Sequence, residues 1–126
     1  MPSYLHDIIL LYLTVLDDRG GGAPAEHNLM LELAHRWAPD AERSDIEAVA
    51  RTASLALRGG LRGGIDLLTK SLCDQLPAGR CRELLSDLGA LARADGHLTQ
   101  HEAETISLVR SAFARRHYGS GAHASA

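Results

Sequence analysis

The chain has 126 residues and a formal net charge of −3 at pH 7. This length is enough for one domain with its own hydrophobic core, and the slightly acidic charge argues against a nucleic-acid-binding protein, which is usually basic. Aromatic residues make up only 4% of the chain, and leucine and alanine are frequent, which favours helices. We therefore expect one all-α domain over residues 1–117 and a disordered tail over residues 118–126.

The first predicted helix begins near Ser3, which can cap it, and runs to about Asp18. Apolar residues cover nearly its whole circumference, so this helix either lies in the middle of a bundle or faces a partner. His6 lies in its first turn, where we interpret it as a solvated residue. The alternative is a metal ligand directed towards an acidic turn elsewhere in the fold.

A glycine-rich turn over residues 17–22 separates this helix from a second one, which carries Glu26 and His27 in its first turn and ends at Pro39. Residues 44–47, Ser-Asp-Ile-Glu, have the pattern of a capping box and predict the start of a third helix. Residues 57–64 repeat Leu-Arg-Gly-Gly twice. Because helical segments flank this repeat, we interpret it as a hinge between the third and fourth helices and not as an RNA-binding segment.

The two cysteines lie on the apolar stripes of the fourth and fifth predicted helices. Cys73 precedes Pro77, which ends the fourth helix, and Cys81 follows it. Their spacing fits no zinc-knuckle pattern. We expect buried, inert thiols in a reducing cytoplasm.

The most informative segment spans residues 93–113. Gly96 can adopt the positive φ that ends a helix, and Thr99 with Glu102 forms a T-x-x-E capping box that opens a sixth helix. An apolar face follows at helical spacing, and the helix ends in a basic patch formed by Arg110, Arg115, Arg116 and His117. We regard His97 and His101 as solvated, because His97 precedes the N-cap and the pair therefore lacks helical geometry.

An earlier segment shows a similar pattern, which predicts an internal duplication. A shift of 76 positions pairs four residues with four others: Glu26 with Glu102, Met30 with Ile106, Leu33 with Val109, and Trp37 with Phe113. Each copy has a helix, an acidic turn and a second, amphipathic helix closed by an aromatic residue. The first copy is expected to have a loop one residue longer. The predicted fold is thus a compact bundle of six to seven short helices with two pseudo-symmetric repeats.

The acidic turns are candidate metal sites, although neither is an EF-hand. When Glu102 is aligned with the last loop position, Asp95 and Gly96 fit their positions, but Leu91 and Arg93 occupy ligand positions. Two half-sites could nevertheless combine if the repeats pack together. The candidate ligands are Asp17, Asp18, Glu26, His27, Asp95, His101 and Glu102. Histidine ligands would shift the preference from calcium or magnesium towards zinc or nickel. A purely structural role for Asp95 and Glu102, in turn and cap, is the alternative.

The segment Ala-Asp-Gly-His-Leu-Thr-Gln-His-Glu over residues 94–102 resembles the signature of the TerB-like tellurite-resistance family. In that family the signature occurs twice per domain, and the opening of this chain, residues 6–15, also resembles one branch of it. The first copy departs from the signature, because Arg19 follows Asp18 where the family has glycine. The resemblance implies an all-α fold, a role in stress response and metal binding at the acidic surface.

No nucleophile elbow, phosphate-binding loop or zinc-protease motif occurs in the sequence, so we expect a non-catalytic protein. A small hydrolase would need an exposed thiol with a low pKa. The alternative to metal binding is a metal-free interaction or oligomerisation module that uses the apolar first helix and the basic C-terminal patch. We expect a cytoplasmic protein without a transmembrane segment. Its partner would be another protein or a second copy, with any membrane association occurring through that partner, and no nucleic acid.

Overall fold

The structure, a computed structural model, describes residues 2–16, 24–60, 64–94, 96 and 98–119. This part of the chain contains no strand and folds into α1 (Leu5–Leu16), α2 (Pro24–Trp37), α3 (Arg43–Arg58), α4 (Gly64–Gln75), α5 (Ala78–Ala92) and α6 (Gln100–Ala114). The end of α6 continues into a single π turn, Arg115–Gly119. The prediction of an all-α bundle of short helices is therefore confirmed.

Helix α1 is the centre of the bundle and contacts each of the other five helices. Nine of its twelve residues are buried, on all sides of the helix. The uniformly apolar character of α1 therefore reflects a position inside the fold and not a face kept for a partner. The helix begins at Leu5, and Ser3, expected to cap it, instead donates a hydrogen bond from its hydroxyl to Gln75 Oε1 on α4 (3.0 Å).

The third helix starts earlier than the sequence predicted. Its N-cap is Glu42, and the Glu42 backbone N–H donates to the Asp45 carboxylate (3.3 Å). Ser44 and Glu47, the expected capping pair, lie within α3. The prediction was wrong because two possible capping pairs at the same spacing overlap here, Glu42 with Asp45 and Ser44 with Glu47, and the sequence does not show which pair the preceding turn favours.

The repeat over residues 57–64 covers the end of α3 and the beginning of α4, as the hinge interpretation required. Helix α3 ends at Arg58, and Gly60 and Gly64 both have positive φ, at 90° and 68°. Residues 61–63 lie outside the described part of the chain. The glycines are needed for the backbone conformation of the connection, since other residues rarely adopt these angles.

The predicted duplication pairs residues of similar burial. All eight side chains are buried: Glu26 and Glu102, Met30 and Ile106, Leu33 and Val109, Trp37 and Phe113. Helix α1 ends at Leu16 and α2 begins at Pro24, and the shift of 76 takes these residues to Ala92 and Gln100, where α5 ends and α6 begins. Residues 17–23, which join α1 to α2, lie outside the described residues, so the expected extra residue in the first copy also stays a prediction. The pseudo-symmetry itself stays a prediction.

The C-terminal boundary differs in part from the expected tail. The backbone of Tyr118 and Gly119 belongs to the π turn, and residues 120–126 lie outside the described residues. Among the helices that the structure describes, none combines the length and the apolar character that crossing a bilayer requires.

Candidate metal-binding sites

The first acidic turn places one carboxylate inside the protein. Pro24 opens α2, a position where its fixed φ and missing N–H are well tolerated. Glu26 follows in the first turn of the helix and has no exposed surface, whereas His27 beside it is exposed. The other candidate ligands of this turn, Asp17 and Asp18, lie outside the described residues.

The second acidic turn has the predicted capping box. Thr99 N–H donates to Glu102 Oε1 (2.8 Å), and Glu102 N–H donates to Thr99 Oγ1 (3.1 Å). Gly96, with a φ of 83°, turns the chain between α5 and α6. Glu102 also has no exposed surface, and Asp95 lies outside the described residues. The capping role expected for Glu102 is thus confirmed, and this role uses Oε1.

A hydrogen bond connects the start of α6 to the end of α1. His101 Nε2 lies 3.0 Å from the Thr14 carbonyl oxygen, although the two residues are 87 positions apart. Since a carbonyl oxygen can only accept, Nε2 carries the proton in this contact and cannot at the same time bind a metal. His101 is therefore not simply solvated, and only Nδ1 remains as a ligand atom. The contact lies two residues before the end of α1, so it places the start of α6 beside the end of α1.

The described ligand candidates do not form a complete cluster. Within the described ranges, Glu26, His27, His101 and Glu102 contribute no set of three ligand atoms within 4.8 Å of one another. The three remaining candidates fall on residues that the structure does not describe. The described side chains thus give two buried carboxylates and one contact between His101 and the end of α1.

A different set of side chains does come together, at the other end of α6. Cys73 on α4, Cys81 on α5 and His117 on the π turn place their two sulfur atoms and one ring nitrogen within 4.8 Å of one another. The distance from Cys81 Sγ to His117 Nε2 is 3.3 Å. Cys81 is buried, whereas Cys73 and His117 are half-buried. Both cysteines are free thiols.

The surroundings of the two thiols keep them protonated. Burial, together with the charge of Cys73 and the hydrogen bond to it, raises the pKa of Cys81 to about 12. Burial also raises the pKa of Cys73, although the hydrogen bond from Cys81 and the positive charge of Arg116 act in the opposite direction. A reactive cysteine needs a lowered pKa, so neither thiol has the environment that the hydrolase hypothesis requires. The expected burial is found for Cys81, whereas for Cys73 it is wrong, because this side chain is only half-buried.

A buried polar network occupies the interface of α1, α2 and α5. The Tyr12 hydroxyl donates to Asp87 Oδ2 (2.7 Å), and Trp37 Nε1 lies 3.0 Å from both the Tyr12 oxygen and the same Asp87 oxygen. The Arg80 guanidinium lies 4.2 Å from the centre of the Trp37 ring, and Tyr4 packs edge-on against that ring. Because its polar atoms are paired with each other, this network holds three helices together.

Comparisons with protein-family models, with curated proteins and with solved structures found no match to this chain.

Two features of the molecule were not anticipated from the sequence. The thiol–imidazole cluster joins residues that were interpreted separately, the cysteines as core residues and His117 as part of a basic patch. The sequence did indicate that the two cysteines could lie close together, because they are on the apolar stripes of two helices separated only by the turn at Pro77. Asp87 in the polar network had a signal too, since an acidic residue among the apolar positions of α5 requires a partner.

Proposed function

We propose that this protein is a non-catalytic helical module that binds a divalent cation through its two acidic turns. The observation that carries the proposal is the complete burial of Glu26 and Glu102 at equivalent positions in the first turns of α2 and α6. Carboxylate oxygens are the ligands that hard divalent cations prefer, and each of the two helices carries one such group inside the protein. Two carboxylates, one from each turn, would supply oxygen ligands to one cation if the turns converge.

The contact between His101 and Thr14 supports convergence of the two turns. Asp17 and Asp18 follow α1 directly, so their backbone continues from the end of the helix that His101 touches. These aspartates, with Asp95 from the second turn, would complete the ligand set begun by the two glutamates. Such a set consists of carboxylate oxygens.

The chemistry of this set favours a hard cation. His101 uses Nε2 as a donor, and His27 is exposed, which weakens the case for a nitrogen ligand and therefore for zinc or nickel. Calcium, magnesium and manganese prefer oxygen ligands. We place manganese and calcium first, because both tolerate several carboxylates in one site.

The same features support membership of a TerB-like class. The chain carries the Asp-Gly signature before α6, and α2 and α6 each have a buried glutamate as their third residue. A role in stress response follows from that resemblance alone. Tellurite chemistry is not part of the proposal, because no residue described here indicates it.

The test is thermal unfolding of the chelator-stripped protein, alone and with manganese, calcium or magnesium added. An ion that binds only the folded state stabilises it by about 2.7 kcal/mol at a hundredfold excess over its dissociation constant. We expect Glu26→Gln and Glu102→Gln to remove this ion-dependent stabilisation. Glu102→Gln separates the two roles of the residue, because glutamine also serves in a capping box. Glu104→Gln, an exposed change on the same helix, is the matched control.

Two results would contradict the proposal. One is the absence of any ion-dependent rise in melting temperature in the unaltered protein. The other is an ion-dependent rise that Glu26→Gln and Glu102→Gln leave unchanged. In either case the buried glutamates are structural and the acidic turns are not a metal site.

A second candidate function, an interaction module, is favoured by a groove between α3 and α4. Its volume is about 890 Å³, and Leu55 and Leu67, which line it, are 65% and 48% exposed. This groove replaces α1 as the candidate docking face, since α1 is internal. If the protein self-associates through the groove, Leu55→Ser with Leu67→Ser should lower the sedimentation coefficient at high protein concentration. An unchanged coefficient, or a monomeric parent protein, would exclude self-association there.

A further inference from the structure

The cluster of Cys73, Cys81 and His117 lies far from the acidic turns, and its chemistry is different. Two sulfur atoms and one imidazole nitrogen are soft or borderline ligands, which thiophilic ions prefer over the hard ions of the acidic turns. The three ligand atoms come from three different elements: the consecutive helices α4 and α5, and the π turn after α6.

We propose that Cys73, Cys81 and His117 form a zinc-binding site. In a tetrahedral zinc site the zinc–sulfur and zinc–nitrogen distances are about 2.3 and 2.0 Å, so neighbouring ligand atoms are roughly 3.5 Å apart. The distance from Cys81 Sγ to His117 Nε2 is 3.3 Å, and the third ligand atom lies within 4.8 Å of both. A shift of about one ångström in the half-buried Cys73 side chain is enough to complete the geometry.

The local fold explains how these residues meet. Helix α4 ends at Gln75 and α5 begins at Ala78, so the two cysteines flank one tight connection between packed helices. His117 is brought to them by the π turn, which packs against α4. Here the change in winding sets the direction of His117 relative to the rest of α6.

The charge balance favours a divalent ion. On binding, each thiol transfers its proton to water as a zinc–sulfur bond forms, so two thiolates and one Zn²⁺ give a neutral site. Copper(I) would leave one negative charge at a partly buried position. Neutral imidazole supplies the third ligand. Since Cys73 and His117 are half-buried, solvent can reach the cluster, and a water molecule can occupy the fourth position, as in other sites with two cysteines and one histidine.

The experiment uses the full chain, reduced and stripped of metal, with Co²⁺ as an optical reporter and Zn²⁺ as the competitor. We expect one Co²⁺ per chain to produce a thiolate-to-cobalt charge-transfer absorption, which Zn²⁺ then abolishes. Cys73→Ser and His117→Asn change half-buried residues, so we expect both variants to fold. Each should weaken zinc binding by more than about 100-fold, because even the loss of an outer-shell partner costs 10–100-fold. His35→Asn, an exposed histidine outside the cluster, is the matched control.

Alkylation gives an independent readout that does not need a variant. In the metal-free protein the half-buried Cys73 should react with a small alkylating reagent, and Zn²⁺ should slow this reaction, whereas Mg²⁺ should not. Three results would overturn the proposal: no charge-transfer band, an unchanged alkylation rate with zinc, or zinc binding that persists at full affinity in Cys73→Ser and His117→Asn. A band that survives Glu26→Gln and Glu102→Gln would assign it to this cluster and not to the acidic turns.

Discussion

Replacing Tyr12 by phenylalanine tests whether the buried polar network holds the bundle together. Tyr12 is fully buried, and its hydroxyl donates the 2.7 Å hydrogen bond to the Asp87 carboxylate. The substitution removes the hydroxyl but keeps the ring, so almost no cavity forms. A hydrogen bond to a charged group contributes about 1.5–3 kcal/mol. Asp87 keeps the bond from Trp37 Nε1, so we expect the loss to remain within this range.

The measurement is urea unfolding at pH 7, followed by circular dichroism. Tyr12→Phe should lower the midpoint and leave the slope unchanged, because the folded and unfolded surfaces stay the same. The same free energy corresponds to a drop of roughly 5–10 °C in melting temperature for a chain of this size. Tyr4→Phe makes the same chemical change at a half-buried ring and should alter stability by less than about 0.5 kcal/mol. Equal effects of the two substitutions would refute the reasoning, since only Tyr12 bonds to the buried carboxylate.

Two further predictions concern glycine and pH. Gly96→Ala should destabilise the protein by about 1 kcal/mol, because Gly96 has a φ of 83°. Gly89 lies in the interior of α5, so Gly89→Ala should stabilise the protein by up to about 1 kcal/mol. Urea unfolding of both variants checks the opposite signs, and two changes of the same sign would contradict the argument. Burial and the negative charge of Asp87 raise the pKa of Tyr12 above its usual value of 10.0. The contribution of Tyr12 to stability is therefore complete below about pH 10 and is lost as the pH rises above it, since the unfolded chain then releases a proton that the folded chain keeps. Unfolding measured from pH 8 to 11 should show a smaller decline for Tyr12→Phe than for the parent protein, and equal declines would show that Tyr12 does not titrate differently on unfolding.

The helices and the start of α6 were predictable because they depend on local sequence. Apolar residues at helical spacing fixed the number and order of the helices. Thr99 and Glu102 satisfy each other's backbone groups within one turn, so their pattern is sufficient to place the start of α6. The apolar circumference of α1 predicted that this helix is covered on all sides, either by the bundle or by a partner. Only the tertiary structure shows that the bundle covers it.

The polar contacts between helices were not predictable from spacing. Tyr12 and Asp87 are 75 positions apart, and Trp37 and Asp87 are 50 apart, so no local pattern pairs them. The same is true of Cys81 and His117, which are 36 positions apart. His117 was also difficult to recognise as a ligand, because its arginine neighbours indicated a charged surface. Where a buried position holds a polar residue, the sequence indicates that a partner exists but not which residue it is.

Helix α6 separates the two candidate metal sites, and this separation makes them distinguishable. The helix has 15 residues and is therefore roughly 22 Å long. His101 and Glu102 lie at its start, whereas His117 lies beyond its end, in the π turn. Two sites this far apart, with no shared ligand, should bind independently, so the stabilisation by a hard ion and that by zinc should add. Oxygen ligands at one end and sulfur ligands at the other also give opposite ion preferences. A mixture of manganese and zinc should therefore raise the melting temperature more than either ion alone, with Glu102→Gln removing only the manganese part and Cys73→Ser only the zinc part. If one substitution removed both parts, the two ions would share a single site, and the assignment of separate hard and soft centres would be wrong.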